Sequence, residues 1–274
     1  MTDWRKLVQE IERLIRLRTF PVAYKKLENA DHLSKIAKVQ RLDRFFTFCQ
    51  LVALVRTRGY TLGATVEDDM FPRCARIHGL ANTTEESIAE EIIPLSTTWF
   101  ATSEEASKQF AAYPRIPPGK AIILAPLASG KFEPDVVLIY GTPGQLMLML
   151  NGLQWKEYER FQFFFIGEGA CADSLAQCYV SGKPSLAIPC FGERRFGEVL
   201  DEELVLALPP AMIEKAIEGM QKLSASGIRY PIPVYGAECD PLPVLIRGNP
   251  KIAERRRVKT SDTTKNRHSQ TILR

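Results

Sequence analysis

The sequence lacks the short motifs that mark the commonest catalytic sites. It contains no Walker A loop, no His-Glu-x-x-His helix and no Gly-x-Ser-x-Gly elbow, so nucleotidase, zinc-peptidase and hydrolase interpretations have no support. It also has no Cys-x-x-Cys pair, which argues against a zinc ribbon or a thioredoxin-type site. Histidine is scarce, and a Cys-His catalytic pair would have to use His32 or His78, for which the sequence gives no support.

Long hydrophobic runs are missing as well. No apolar segment approaches the roughly 20 residues that a membrane span needs, and the N-terminus lacks the layout of a signal peptide. We therefore expect a cytoplasmic protein without a membrane partner, in which the six cysteines stay reduced. A composition of 45% hydrophobic and 25% charged residues is typical of a soluble globular chain.

Positive charge is concentrated at the C-terminal end. Residues 247–274 carry nine Lys or Arg and two acidic residues, whereas the other 246 residues carry 27 and 30. We interpret residues 1–246 as a single globular domain, with a sub-boundary near the proline-rich turn 114–119. Residues 247–274 are expected to form a basic, disordered tail, with a partner-docking arm as the alternative. The mildly acidic body gives no reason to expect nucleic-acid binding.

Strands and helices alternate along the chain. This order predicts an α/β or α+β fold, with a mixed sheet flanked by helices. The predicted helices cover 3–18, 43–57, 83–93, 103–112, 143–152, 171–180 and 210–223, and the predicted strands cover 20–24, 60–66, 121–125, 136–140, 161–166, 185–188 and 204–208.

A weak similarity between two segments of the sequence suggests two similar half-domains. Phe48-Cys49, a helix, a stop at Gly59, a strand and a charged turn parallel Cys171, a helix, a stop at Gly182, a strand and Pro189-Cys190. Duplication of a half-domain would produce this pattern.

The first candidate site runs from Gly167 to Ser174, between a predicted strand and a predicted helix. A cysteine in the first turn of a helix, here Cys171, is near the positive end of the helix dipole, which favours the thiolate. The same backbone amides would suit a phosphate or carboxylate, with Gly167, Gly169 and Ser174 next to it. The alternative is a small apolar cysteine packed beneath a tight turn.

The second candidate site runs from Pro189 to Gly197, after a predicted buried strand. It contains Cys190, Gly192 and the adjacent pair Arg194 and Arg195, in a loop that its glycines would let bend over a ligand. Guanidinium groups bind carboxylates and phosphates bidentately. The alternative pairs both arginines with nearby acidic residues in an ordinary salt-bridge cluster.

Several of these segments together resemble a bacterial and archaeal family, Domain of Unknown Function 169, also labelled ArCR. The resemblance rests on Phe20-Pro-Val-Ala, Cys171, Gly182-Lys-Pro, the segment Pro189–Gly197 and Asp201-Glu-Glu203-Leu204. It covers about residues 15–225 and implies an intracellular protein, with a metabolic or cofactor role suggested by its occurrence in anaerobes. It also implies a first-half cysteine-proline pair. Phe71-Pro72 stands there instead and Cys74 is displaced, which argues against a site that needs the first-half cysteine.

The favoured function is binding of an acidic or phosphate-bearing small molecule or cofactor, in metabolism that the resemblance suggests is anaerobic. Cys171 and Cys190 are the candidate catalytic residues of an alternative, a cysteine-dependent or metal-assisted enzyme. A third possibility is an accessory subunit that docks to an enzyme through its basic tail. The sequence specifies neither a cofactor nor a metal, and it leaves open whether the protein is an enzyme.

Overall fold

The structure is a computed structural model that describes residues 2–82 and 84–245, together with the single residues 251 and 254. The chain divides into two compact units, residues 1–231 and residues 232–274. The described part of the second unit contains one short helix at Leu242–Leu245. The boundary predicted between 246 and 247 lies outside the described residues, as does the predicted tail apart from 251 and 254.

The first half of the larger unit follows the predicted order of elements. Local signals account for the helix ends: the Asp3 carboxylate caps the first helix by accepting from the amide of Lys6 at 3.1 Å, and Thr47 caps another in a capping box with Gln50. The elements are α1 (Trp4–Ile15), β1 (Val22–Leu27), α2 (Asp31–Ser34), α3 (Phe48–Arg58), β2 (Leu62–Thr65), α4 (Pro72–Ile77), α5 (Glu85–Thr98), α6 (Ser103–Ala112) and β3 (Ala121–Pro126).

The second half repeats the alternation after a short 3-10 turn at Leu127–Ser129. Its largest helix pair packs against one face of the sheet, and a π-helical turn at Ala172–Ala176 leads directly into the helix that follows it. The elements are β4 (Val136–Gly141), α7 (Pro143–Gln154), α8 (Gln177–Ser181), β5 (Ser185–Ala187), α9 (Phe191–Phe196), β6 (Leu204–Leu208) and α10 (Met212–Ala225).

All six strands form one sheet in the order β2-β3-β1-β4-β6-β5. Every strand pair is antiparallel, and the parallel pairing found among the described residues is confined to the isolated bridges Gln40–Leu62 and Phe46–Met70. Helices α1, α7 and α10 cover one face, and α3, α4, α6 and α8 cover the other. The predicted class, with helices flanking a sheet, is confirmed, and the fold is the α+β alternative. The sheet is antiparallel rather than mixed.

The two halves have the same topology. β1 and β2 both lie antiparallel to β3, so they are parallel to each other and are connected through α3. β4 and β5 stand in the same relation to β6. Their connection contains α7 on one face of the sheet and α8 on the face that carries α3. Each half is thus a split βαβ unit, in which a third strand lies between two parallel strands. The first strand of each half, β1 or β4, is at the centre of the sheet, the third strand lies next to it, and the second strand is at the edge. Gly59 and Gly182 end the equivalent helices, both with positive φ. The topology agrees with the internal repeat expected from the sequence.

Two local predictions are wrong. Residues 161–166 form no strand, and Phe164 and Phe165 are 60% and 67% exposed, because the apolar run has no neighbouring strand to pair with. The segment after Pro189 is not a flexible loop, because residues Phe191–Phe196 form α9. An apolar run without clear periodicity and a short helix bounded by glycines are both weak signals.

Helices α7 and α10 cross at a pair of glycines, which yields a stability prediction. A Cβ at Gly219 would collide with the carbonyl oxygen of Gly152, so the two helices must separate to accept one. We expect Gly219→Ala to lower the free energy of unfolding in urea by about 1–3 kcal/mol. Gly192→Ala is the matched control, because its Cβ would meet only the Cys190 sulfur, at 3.7 Å. If Gly219→Ala unfolds at the same urea concentration as the parent chain, the close crossing is wrong.

Candidate functional site

Four cysteines line one cavity of about 530 Å³, to which both halves of the repeat contribute. The volume lies within the range of small-molecule sites. Cys49, Cys74 and Cys171 are buried at its floor and Cys190 is half-buried. None of the four forms a disulfide. We call this space the cysteine cavity.

The repeat places these cysteines in two equivalent pairs. Cys49 and Cys171 lie at the start of the helices that connect the first and second strands of their halves, α3 and the π turn before α8. Cys74 lies in α4, and Cys190 is the N-cap of α9, the helix that follows the second strand of the second half. The backbone of Phe48, next to Cys49, lowers the pKa of the Cys74 thiol, against a larger rise caused by burial. The backbones of Ala170, next to Cys171, and of Glu193 act in the same way on the pKa of Cys190.

Aromatic side chains surround the mouth of the cysteine cavity. Trp99 and Phe191 meet edge to face with ring centroids 5.6 Å apart, and Phe45 and Phe71 meet in the same way at 6.2 Å. Phe196 completes the set, and every one of these rings except Phe71 is more than 40% exposed. A cluster of exposed rings around a cavity is typical of a binding site, because monomeric proteins rarely leave large apolar patches open to water.

Positive charge predominates at the same mouth. Arg44, Arg73 and Arg195 line the cysteine cavity, and Glu168 is the one carboxylate among its lining residues. Glu168 accepts a hydrogen bond from the amide of Phe191 at 3.2 Å, and burial raises the pKa of its carboxyl group. The lining therefore favours an anionic occupant.

The adjacent arginines do not act as a pair. Arg194 donates to the carbonyl oxygen of Leu200 at 2.7 Å and lies 3.4 Å from the Asp201 carboxylate, as the salt-bridge alternative predicts. Arg195 lines the cavity and lies over the Phe196 ring at 5.4 Å. They diverge because neighbouring positions on a helix do not share a face, and the sequence interpretation assumed a loop here.

The turn before Cys171 is fixed by α6. The Tyr113 hydroxyl donates to the carbonyl of Glu168, and the Gln109 amide donates to the carbonyl of Ile166 at 3.1 Å. Gly169 has φ +131°, and a Cβ there would lie 2.7 Å from the Tyr113 ring. Only glycine satisfies both constraints, which accounts for its place in the sequence.

The structure brings together five of the eight residues predicted for the site: Gly169, Cys171, Cys190, Gly192 and Arg195. The other three do not line the cavity. Ser174 is buried and donates to the carbonyl of Ala170 at 2.6 Å, Gly167 turns the chain with φ +92°, and Arg194 faces the Asp201 side.

The sequence analysis assigned no site role to Cys49, Cys74, Arg73 or Trp99. The internal sequence similarity could have identified Cys49, because it aligned this residue with Cys171. Cys74 was displaced from the position that the family resemblance implies, and it nevertheless lines the cavity.

Burial reverses the expected ionisation of Cys171. Desolvation raises the pKa of its thiol well above the usual value, and the neighbouring Cys74 and Cys190 add to the rise while Arg73 opposes it. Desolvation likewise raises the pKa of Cys74, to about 11. The thiolate expected at the helix start is therefore not favoured, since a buried charge costs more than the dipole returns.

Thiol labelling tests whether burial makes Cys171 unreactive. With a disulfide reagent at neutral pH, we expect the exposed Cys239 to react rapidly and Cys171 slowly, because the thiolate is the reactive species. Cys239→Ser should remove the fast phase. Rapid labelling of Cys171 in that variant, located by mass spectrometry, would restore the nucleophile interpretation.

A buried carboxyl group lies close to the cysteines. Glu193 accepts from the Tyr140 hydroxyl at 2.7 Å, while its second oxygen has no hydrogen-bond partner among the described residues. Desolvation raises the Glu193 pKa from 4.5 to about 6, although Tyr140 and Arg56 oppose the rise. The same carboxyl group adds to the raised pKa of Cys171. The folded state thus favours the protonated acid.

A pH dependence follows. The pKa of Glu193 is higher in the folded state than in the unfolded state. The stability that protonated Glu193 contributes is therefore complete below about pH 4.5 and is lost as the pH rises through about 6. Glu193→Gln keeps an acceptor for Tyr140 and cannot ionise, so we expect it to gain about 1–2 kcal/mol relative to the parent at pH 8 and little at pH 4. Urea unfolding at both pH values measures this, and Glu202→Gln, at an exposed position, is the control. A gain of equal size at both pH values would contradict the assignment.

Other sites find less support. Among the described residues, no three His, Cys, Asp or Glu side chains are arranged to hold a single metal ion. His78 is stacked on Phe48 at 3.7 Å, and desolvation lowers its pKa to about 3, so it is unsuited to act as a base for a cysteine. In the part of the chain that the structure covers, no helix is long and apolar enough to cross a bilayer.

The fold and the cavity together define an internally repeated α+β protein with a cysteine-lined cavity shared by its halves. Residues 10–219 match the model of the family DUF169, described as uncharacterised ArCR, and the chain belongs to this family. It is also similar to the Uncharacterized protein MJ0308 of Methanocaldococcus jannaschii, with 26% identity over 184 residues that cover 66% of this chain and 79% of that protein. No solved structure matches it significantly.

Proposed function

We propose that the protein binds an acidic small molecule with a flat apolar body at the mouth of the cysteine cavity. The observation that supports this most is the combination of Arg44, Arg73 and Arg195 with five aromatic rings around one opening. Guanidinium groups pair with carboxylate or phosphate oxygens, and aromatic rings stack on planar apolar groups. A metabolic role in the cytoplasm is part of this proposal.

Charge and shape contribute separately to this binding. The guanidinium of Arg195 has no ion-pair partner among the described residues and lies over the ring of Phe196. It is therefore available to an incoming anion. Arg73 already forms an ion pair with Glu91, with 3.8 Å between its Nε and the carboxylate, but this Nε has no hydrogen-bond partner in the described chain. Both arginines would gain a partner on binding, which favours an anion over a neutral ligand of the same shape.

Two probes of the same shape separate the two contributions. We expect 1-naphthoate to bind the parent chain more tightly than the neutral 1-naphthalenemethanol in isothermal titration calorimetry. Arg195→Ala should weaken naphthoate binding about tenfold and leave binding of the alcohol nearly unchanged.

Arg194→Ala is the matched control, because it removes an adjacent arginine that is already paired outside the cavity. It should leave both affinities unchanged. Equal losses in the two variants would indicate a general effect of surface charge, and unchanged naphthoate binding in Arg195→Ala would refute the proposed site.

A further inference from the structure

We propose that the four cysteines at the floor of the cysteine cavity bind an iron–sulfur cluster, with each sulfur bound to a different iron. The two proposals rest on different ligand residues, although Arg73 lines the cavity beside both. The anion site depends on arginines and rings at the mouth, whereas the cluster depends on Cys49, Cys74, Cys171 and Cys190 beneath them. Either can fail without the other.

The first argument is convergence. Four of the six cysteines come from four separate segments and line the same cavity, whereas Cys178 and Cys239 do not. Small apolar cysteines filling a core would have no reason to gather in this way. Cys178 is such a residue, fully buried against the helices of the same layer.

The second argument is symmetry. In each half, the earlier cysteine lies at the start of the segment that connects the first and second strands, and the later cysteine lies in or caps the short helix after the second strand. Each half therefore presents a matched pair of sulfurs to the shared space. The two pairs face the same space, because all four cysteines line one cavity.

The third argument concerns the kind of metal centre. No three ligands within the described chain are arranged for a single ion, which argues against a zinc or copper site. A cluster distributes its ligands over several irons, so its cysteines stand farther apart than those around one ion. Thiolates are the preferred ligands of iron–sulfur clusters.

The charge of the cavity lining also suits an iron–sulfur cluster. A cluster held by four thiolates is negative overall, and the Arg73 guanidinium lines the same cavity. When the iron–sulfur bonds form, each thiol gives up its proton to solvent, so loading releases one proton per cysteine and requires no change in oxidation state. Iron and inorganic sulfide, or a preassembled cluster, supply the rest.

The test is anaerobic reconstitution of the full chain with ferrous and ferric iron and sulfide. We expect about four irons and four sulfides per chain and broad visible absorption that bleaches with dithionite. Cys49→Ala, Cys74→Ala, Cys171→Ala and Cys190→Ala should each lose iron and the visible absorption. Cys178→Ala and Cys239→Ala, the matched controls, should retain both.

A second measurement needs no variant and so does not depend on how well each one folds. Loading should protect the four cavity cysteines of the parent chain from iodoacetamide under denaturant-free conditions at high pH, while Cys239 stays reactive. The proposal would be overturned if the parent chain takes up no cluster, or if the cavity variants keep one. It would also be overturned if the four cysteines of the loaded parent chain remain open to alkylation. Naphthoate binding, measured in parallel, reports on the anion site alone.

Discussion

The antiparallel pairing of β1 with β4 is the constraint on which the rest of the structure depends. It is the seam between the two halves, with Val22 opposite Leu138 and Tyr24 opposite Val136. Because each half places its connecting helix on the same face of the sheet, this pairing brings α3 and α8 into one layer. The cysteines at the starts of those segments therefore share a cavity, although each half alone could supply only one side of it.

A second constraint acts across the seam on the side of α9. Arg56 on α3 is buried against Glu203, with nitrogen–oxygen separations of 3.3 Å, and lies 4.4 Å from the centre of the Tyr140 ring. Tyr140 in turn donates to Glu193 on α9. Removing one member of a buried pair leaves an uncompensated charge, so this chain of contacts holds α9, and with it Cys190 and Arg195, in a fixed position.

Local sequence signals account for much of the fold. Periodicity and a cap located α1, and apolar patterns located α7, α10, β3 and β4, because these signals act within a few residues. Helix α3 was predicted from residue 43 and begins at Phe48. The cavity is different, since it depends on contacts between segments far apart in the chain. Cys171 and Arg195 were identified because they lie in unusual local sequences, whereas Cys49 and Cys74 lie in ordinary ones. Only the repeat connected Cys49 to the site.

The two errors in the site have a common cause. The interpretation of Cys171 considered the helix start and omitted burial, and the interpretation of Arg194 with Arg195 considered their adjacency and omitted the helix that separates them. Cys171 does lie at a helix start and the two arginines are adjacent, as predicted. Burial of Cys171 and the helical conformation of the arginine segment nevertheless prevent the behaviour that was inferred from these positions. Burial raises the pKa of these thiols, which favours their protonated form and makes the cavity floor a poor source of thiolate. The mouth has the opposite character, because its rings and Arg195 are exposed to solvent. This arrangement supports the proposed binding site more than it supports the alternative of a thiolate nucleophile.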